Sequence, residues 1–201
     1  LLLWLRRWLL GMVAQVQGRL GRYGNSVCPL IISRQQGWGK SQFAKLIVPP
    51  ELQMFFADTF NLAQEETCLR RMASYWLINV DELDRFSTLR MATLKNLVQL
   101  ATITLKRPHR GQMEEMERMA SFIATSNRRY LLRDETGSRR FICVELEVPI
   151  DVTTPVDHAQ LYAQALAALS AGDRSWFDDA EVRLIEAHNQ GFSTQRGVWD
   201  L

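Results

Sequence analysis

The chain has 201 residues, 47% of them apolar and 23% charged, ordinary proportions for one globular domain with a sizeable core. A net charge of +2 excludes a globally basic, composition-driven nucleic-acid binder, so any basic surface must be local. Cys28, Cys68 and Cys143 are odd in number, far apart and without a Cys-x-x-Cys pair, which argues against a disulfide framework and for buried thiols in a reduced, cytoplasmic setting.

The first element is a helix over residues 1–17, ended by Gly18 and a loop at 21–25. Its opening run, Leu1 to Leu10, is apolar, but Arg6 and Arg7 interrupt it and it is too short to span a bilayer, so no membrane role is expected. A start at Leu1 rather than Met points to a piece of a longer protein. Residues 27–33 read as a strand and 41–48 as a helix stopped by Pro49-Pro50. Leu62, Leu69 and Met72 recur at near-helical spacing over 61–74. Residues 75–80, Tyr-Trp-Leu-Ile-Asn-Val, have the composition of a buried parallel strand. A helix over 87–97 follows, then a strand or hairpin arm at 101–106, and apolar strands at 121–126 and 141–146. Helices at 158–171, closed by Gly172, and 180–190 complete the chain. Alternating strands and helices predict an α/β layered fold, with a helical segment at 1–26, a core at 27–150 and a second helical segment at 151–201.

The loop after the first strand ends Gln36-Gly37-Trp38-Gly39-Lys40-Ser41. A strand, a glycine-bearing loop ending in Gly-Lys-Ser and a helix is the layout of a nucleotide-phosphate loop: backbone N–H groups of Gln36 to Ser41 cradle phosphate oxygens, Lys40 reaches the β- and γ-phosphates, and the Ser41 hydroxyl holds Mg²⁺. The usual pattern places a glycine where Arg34 stands, so Arg34 must take an ordinary conformation or accept strain. The alternative is a chance Gly-x-Gly-Lys-Ser in a surface loop.

Asp81 and Glu82 follow the strand at 75–80, at the end where open α/β sheets bind ligands. Asp81 suits Mg²⁺ and Glu82 suits a general base that polarises the attacking water. An acid pair that merely favours a helix N-terminus is the plain alternative. The strand at 121–126 leads into Asn127, in the place where P-loop ATPases of the additional-strand type bridge the γ-phosphate and the catalytic water; otherwise Ser126 or Asn127 caps a turn before Arg128-Arg129. Arg139 and Arg140 precede the strand at 141–146, and a guanidinium there suits an arginine finger donated across a subunit interface. Strand alternation would turn the two arginines opposite ways, so one of them at most is the finger, and a solvated pair bonding Asp134 and Glu135 is the alternative. His109, His158 and His188 are too scattered for a metal site and read as surface or capping residues.

Taken in order, Gln36–Ser41, Asn79-Val-Asp-Glu-Leu83, Lys106-Arg-Pro-His-Arg110, Ile123–Asn127, Leu131–Phe141 and Gln160–Ala165 resemble the virulence-associated E (VapE-like) family of phage and prophage P-loop ATPases. That family is similar to superfamily-3 helicases and to the C-terminal domains of phage primase-helicases. The run Asp134 to Phe141 is its most specific part, while members commonly carry glycines at the positions of Arg34 and Gln35. The resemblance implies a three-layer, additional-strand P-loop NTPase with a mostly parallel sheet, binding ATP and Mg²⁺ and working as an oligomeric ring, such as a hexamer, on single-stranded DNA. Lys106, Arg107 and Arg110 then fall where related helicases carry a pore-facing hairpin or loop, and would grip phosphates electrostatically. Arg107 or Arg118 contacting nucleotide at a subunit boundary is a second option. A nucleotide-dependent regulatory or assembly switch with little turnover is the alternative function, and kinase-like phosphoryl transfer ranks below both.

Overall fold

The computed structural model describes residues 1–19, 24–106, 112–132 and 138–193. At its centre are five strands: β1 Cys28–Ile32, β2 Phe56–Ala57, β3 Leu77–Val80, β6 Ser121–Ser126 and β7 Phe141–Glu145. β1, β3 and β6 are buried along their whole length, which is why they read as unbroken apolar runs. The sheet order is β2-β3-β6-β1-β7 and every pairing is parallel. β6 is thus inserted between the strand that leads into the glycine loop and the strand that ends in the acid pair.

Alternate residues of each strand enter different layers. Cys28, Leu30, Ile32, Ile78, Val80, Phe122 and Ala124 pack with Cys68 and Met72 of α3 (Glu65–Ser74) and with Leu94, Leu97 and Val98 of α4 (Thr88–Gln99). Ile31, Leu77, Ile123 and Ile142 face the other way, onto Trp8 and Met12 of α1 (Leu2–Val16), Ala44 of α2 (Lys40–Leu46) and Ile185 of α6 (Asp179–Asn189). α5 (His158–Ser170) packs on this second layer through Tyr162 and on α1 through Ala165. The result is a three-layer α/β sandwich. α5 also closes the C-terminal end of α2: His158 Nε2 lies 2.7 Å from the Leu46 carbonyl and the Tyr162 hydroxyl donates to the Ile47 carbonyl at 2.6 Å.

The stretch at 101–106 is one arm of a separate antiparallel hairpin, β4 Thr102–Lys106 with β5 Met113–Glu117. Ile103 and Leu105 are buried in the main core, while the outer face carries Thr102, Thr104 and Lys106 opposite Glu117, Glu115 and Met113. The two-residue β2 and the glutamate-rich β5 have no apolar run to announce them.

Arg118, one of the two boundary options, is structural. It is 1% exposed, and its guanidinium donates to the carbonyls of Leu97 (3.2 Å) and Val98 (2.7 Å) at the end of α4, to the Asn25 carbonyl (2.8 Å) and to Gln15 Oε1 (3.3 Å). Burial draws the group down to about 9, and the dipole of α4's C-terminus, with this cage of carbonyls, favours its cationic form.

Candidate functional site

Parallel register sets the site. Ile32 of β1 lies level with Ser126 of β6, and Val80 of β3 with Ala124, so the glycine loop, the acid pair and Asn127 all emerge at one edge of the sheet. The loop from Ser33 to Gly39 reverses direction on two glycines, Gly37 at φ 79° and Gly39 at φ 80°. Arg34 is exposed, and Glu82 is the sole non-glycine residue with positive φ among the described residues, so the missing leading glycine costs the loop no strain. The entry to the loop is shaped instead by Ser33, whose hydroxyl donates to the Gln35 carbonyl at 2.7 Å and accepts the Gln35 N–H at 3.1 Å. Its exit is held by the Ile150 N–H, which donates to the Trp38 carbonyl at 3.1 Å. Gly39 is also the N-cap of α2, and no side chain caps the helix there.

Lys40 is 8% exposed, and its ammonium donates to Asn127 Oδ1 at 2.9 Å and to the Gln35 carbonyl at 3.3 Å. Burial lowers its pKa, and the carboxylates of Asp81 and Asp84 pull the other way. The Ser41 hydroxyl donates to Asp81 Oδ1 at 2.9 Å, which joins the first turn of α2 to the end of β3. The same carboxylate oxygen receives a short hydrogen bond from the Thr125 hydroxyl, and that hydroxyl accepts the Glu82 N–H at 3.1 Å. Glu82 sits in the left-handed region at φ 51°, and its carboxylate is paired with Arg85 at 2.7 Å. A non-glycine residue there is strained, and such strain gathers at functional sites.

These groups line an open cleft of about 390 Å³, bounded by Gln36 to Gln42, Asp81, Glu82, Thr125 and Asn127. The tertiary structure therefore brings Gln36, Gly37, Trp38, Gly39, Lys40, Ser41, Asp81, Glu82 and Asn127 together. Thr125 and Gln42 join them; Thr125 is legible only as a polar residue two places before Asn127, near the end of β6.

Arg139 and Arg140 are elsewhere. Phe141 pairs with Cys28, at the start of β1, so the two arginines lie at the opposite edge of the sheet, roughly 15 Å away at a strand's rise per residue. They are not in the strand at all. Ser138–Arg140 forms a 3₁₀ turn, because Asn189 Nδ2 binds the carbonyls of Ser138 (2.8 Å) and Phe141 (2.7 Å) and so bends the chain before β7. Strand alternation therefore does not apply: Arg139 is exposed, and half-buried Arg140 donates to Gln99 Oε1 at 2.7 Å. Lys106 is exposed at the end of β4, while Arg107 and Arg110, like Asp134 and Glu135, lie outside the described residues.

No curated protein sequence matches the chain. Among solved structures, the apo structure of the NrS-1 C-terminal region (305–718) is similar at 14% identity with a TM-score of 0.50, over 88% of this chain and 43% of that one. The A form of the same region aligns at 14% identity and a TM-score of 0.47, over 91% and 38%. The chain thus spans less than half the length of these structures, and the likeness is one of fold. The family model for the virulence-associated protein E-like domain matches residues 3–194, nearly the whole chain, and the chain belongs to that family.

Proposed function

We propose that this chain is the Mg²⁺-dependent ATP-binding and ATP-hydrolysing domain of a phage or mobile-element replication helicase or primase-helicase, acting as an oligomeric ring on single-stranded DNA. The observation that carries this reading is the convergence of Lys40, Ser41, Asp81 and Asn127 in one cleft, linked by the Lys40–Asn127 and Ser41–Asp81 hydrogen bonds.

The donor set fits the ligands. Ser41 and Asp81 offer a hydroxyl and a carboxylate oxygen, the hard donors that Mg²⁺ takes one or two at a time beside phosphates and water. Bound there, the ion would neutralise charge on the phosphate oxygens. Lys40, partly desolvated and bonded to neutral oxygens, gains most from an anion, so it exchanges Asn127 and Gln35 for the β- and γ-phosphates. Asn127, released, orients the attacking water. Glu82 leaves Arg85 and accepts that water's proton. Arg139 or Arg140 completes a neighbouring subunit's site, which suits residues at the far edge of the sheet. Lys106, exposed at the end of β4, meets the DNA backbone together with Arg107 and Arg110. Three free, buried thiols agree with a reduced, cytoplasmic setting, and no helix among the described residues is long and apolar enough to cross a membrane.

A second reading, a nucleotide-dependent switch with little turnover, is favoured by one observation: the Glu82 carboxylate is already engaged by Arg85. Steady-state ATP hydrolysis with and without single-stranded DNA, beside Lys40→Ala and Glu82→Gln, separates the two. A DNA-stimulated rate lost in both variants supports the motor. Tight Mg²⁺·ATP binding without turnover, abolished by Lys40→Ala alone, supports the switch. No binding by the wild-type chain overturns both.

A further inference from the structure

Asp84 closes the run Asp81-Glu-Leu-Asp84 and has no part in the reaction as set out above. Its side chain is 9% exposed. One carboxylate oxygen accepts the Asn127 backbone N–H at 2.9 Å and lies 3.3 Å from the Ser126 hydroxyl. The other lies 4.0 Å from Nε of Arg128, an exposed side chain that contributes little across that distance. Asp84 therefore grips the end of β6 at the residue whose side chain holds Lys40.

The local backbone exists to make this reach. Left-handed Glu82 reverses the chain at the end of β3, Leu83 drops fully buried into the core, and the 3₁₀ turn Leu83–Arg85 presents Asp84 to β6. The orientation of the Asn127 amide is also dictated: an ammonium only donates, so the oxygen of Asn127 must face Lys40. A phosphate that draws Lys40 away leaves this amide without its partner, and what the amide does next depends on whether its backbone is held.

We propose that Asp84 is a positioning residue that fixes the Asn127 backbone, so that the Asn127 amide turns in place towards phosphate and water when Lys40 leaves it. The proposal rests on the nucleotide reading of the cleft. It differs from a plain turn cap in what it predicts: nucleotide binding through Lys40 and Ser41 survives the loss of Asp84, while the chemical step does not.

The test compares Asp84→Ala and Asp84→Asn with the wild-type chain, by Mg²⁺·ATP titration, steady-state kinetics and hydrogen exchange at the Asn127 backbone N–H without nucleotide. Expected for Asp84→Ala is a kcat lower by about 10–100-fold, the scale of a misplacement near 1 Å, with KM within about threefold of wild type. Exchange at Asn127 quickens. Asp84→Asn keeps an acceptor oxygen for the same N–H, so it recovers most of kcat and of the protection, and it serves if the alanine variant fails to fold. Wild-type kcat and wild-type exchange in Asp84→Ala, with Lys40→Ala inactive, overturn this inference and leave the proposed function standing. If the wild type binds no nucleotide, the function falls, and unchanged exchange at Asn127 in both Asp84 variants removes the tether as well.

Discussion

Gly37 and Gly39 share a left-handed backbone but not an environment. A Cβ on Gly37 would meet nothing within 4 Å, whereas one on Gly39 would lie 3.0 Å from Val152 Cγ1 and 3.3 Å from the Ile150 carbonyl. Gly37→Ala should cost about 1 kcal/mol for the backbone conformation alone, and Gly39→Ala about 2 kcal/mol or more because the segment after β7 must also yield. Urea unfolding of the two variants checks the order, and equal midpoints would contradict it. Lys40 offers a second residue-scale prediction. Its native pKa lies below the ordinary 10.5 because of burial, so without nucleotide the folded chain holds this proton less tightly than the unfolded chain. The cost of burying the ammonium is then present at neutral pH and fades as pH rises through the depressed native value towards 10.5. Lys40→Met should raise the nucleotide-free melting temperature at pH 7, with the gap to wild type closing at alkaline pH, while Mg²⁺·ATP binding disappears. A melting temperature well below wild type would sink this.

At the scale of elements, Arg118 ties four pieces together: Gln15 on α1, Asn25 before β1, the last carbonyls of α4 and, through its ring contact at 5.6 Å, Phe122 on β6. It has this position because β5 delivers it to the open end of α4, where carbonyls left without intrahelical partners need donors. Arg118→Met takes a donor from the Val98 and Asn25 carbonyls in the core, while Gln15 Oε1 keeps the Asn25 N–H and the Leu97 carbonyl keeps the Leu100 N–H, a loss of roughly 3 kcal/mol in a urea titration. A loss below about 1 kcal/mol would mean that water replaces the guanidinium. In the sequence, Arg118 is a cation that follows the glutamates of 114–117, with nothing beside it to mark it as buried. Burial, which separates a staple from a ligand contact, is a property of the packed layers and not of the residue's neighbours in the chain. The same limit applies to Arg139 and Arg140, whose turn is set by Asn189, some fifty residues away in sequence.

For the whole molecule, the sheet order separates the two halves of the proposed reaction. Lys40 and Glu82 stand at the C-terminal edge of the strands, and Arg140 at the other, so a single copy does not bring them together. If the proposed ring forms, chains carrying Lys40→Ala and chains carrying Arg140→Ala, each inactive, should regain hydrolysis when mixed, because some interfaces pair an intact loop with an intact arginine. Mixtures as inactive as their components would remove Arg140 as the finger. α1 belongs to this scale as well. Trp8 and Met12 are buried with residues of β1, β3 and β6, so α1 is part of the second layer through one face, while Leu2 and Leu3 at its start stay exposed.

The order of motifs along the chain determined the family and the fold class. A glycine-bearing loop, an acidic strand end and a polar strand end are each local, and strand burial on both faces is visible as an unbroken apolar run. Tertiary structure alone decided which polar residues meet. It showed that Arg34 leaves the loop unstrained, because Gly37 and Gly39 take the positive φ angles. It also made Asp84 the partner of the Asn127 backbone, moved the arginine pair to the far edge and closed Arg118 into the core. The physical reason is that hydrogen bonds and desolvation depend on which groups the sheet register sets side by side, and register joins residues far apart in the chain, Leu30 with Ala124 and Leu77 with Ser121, that no local pattern relates.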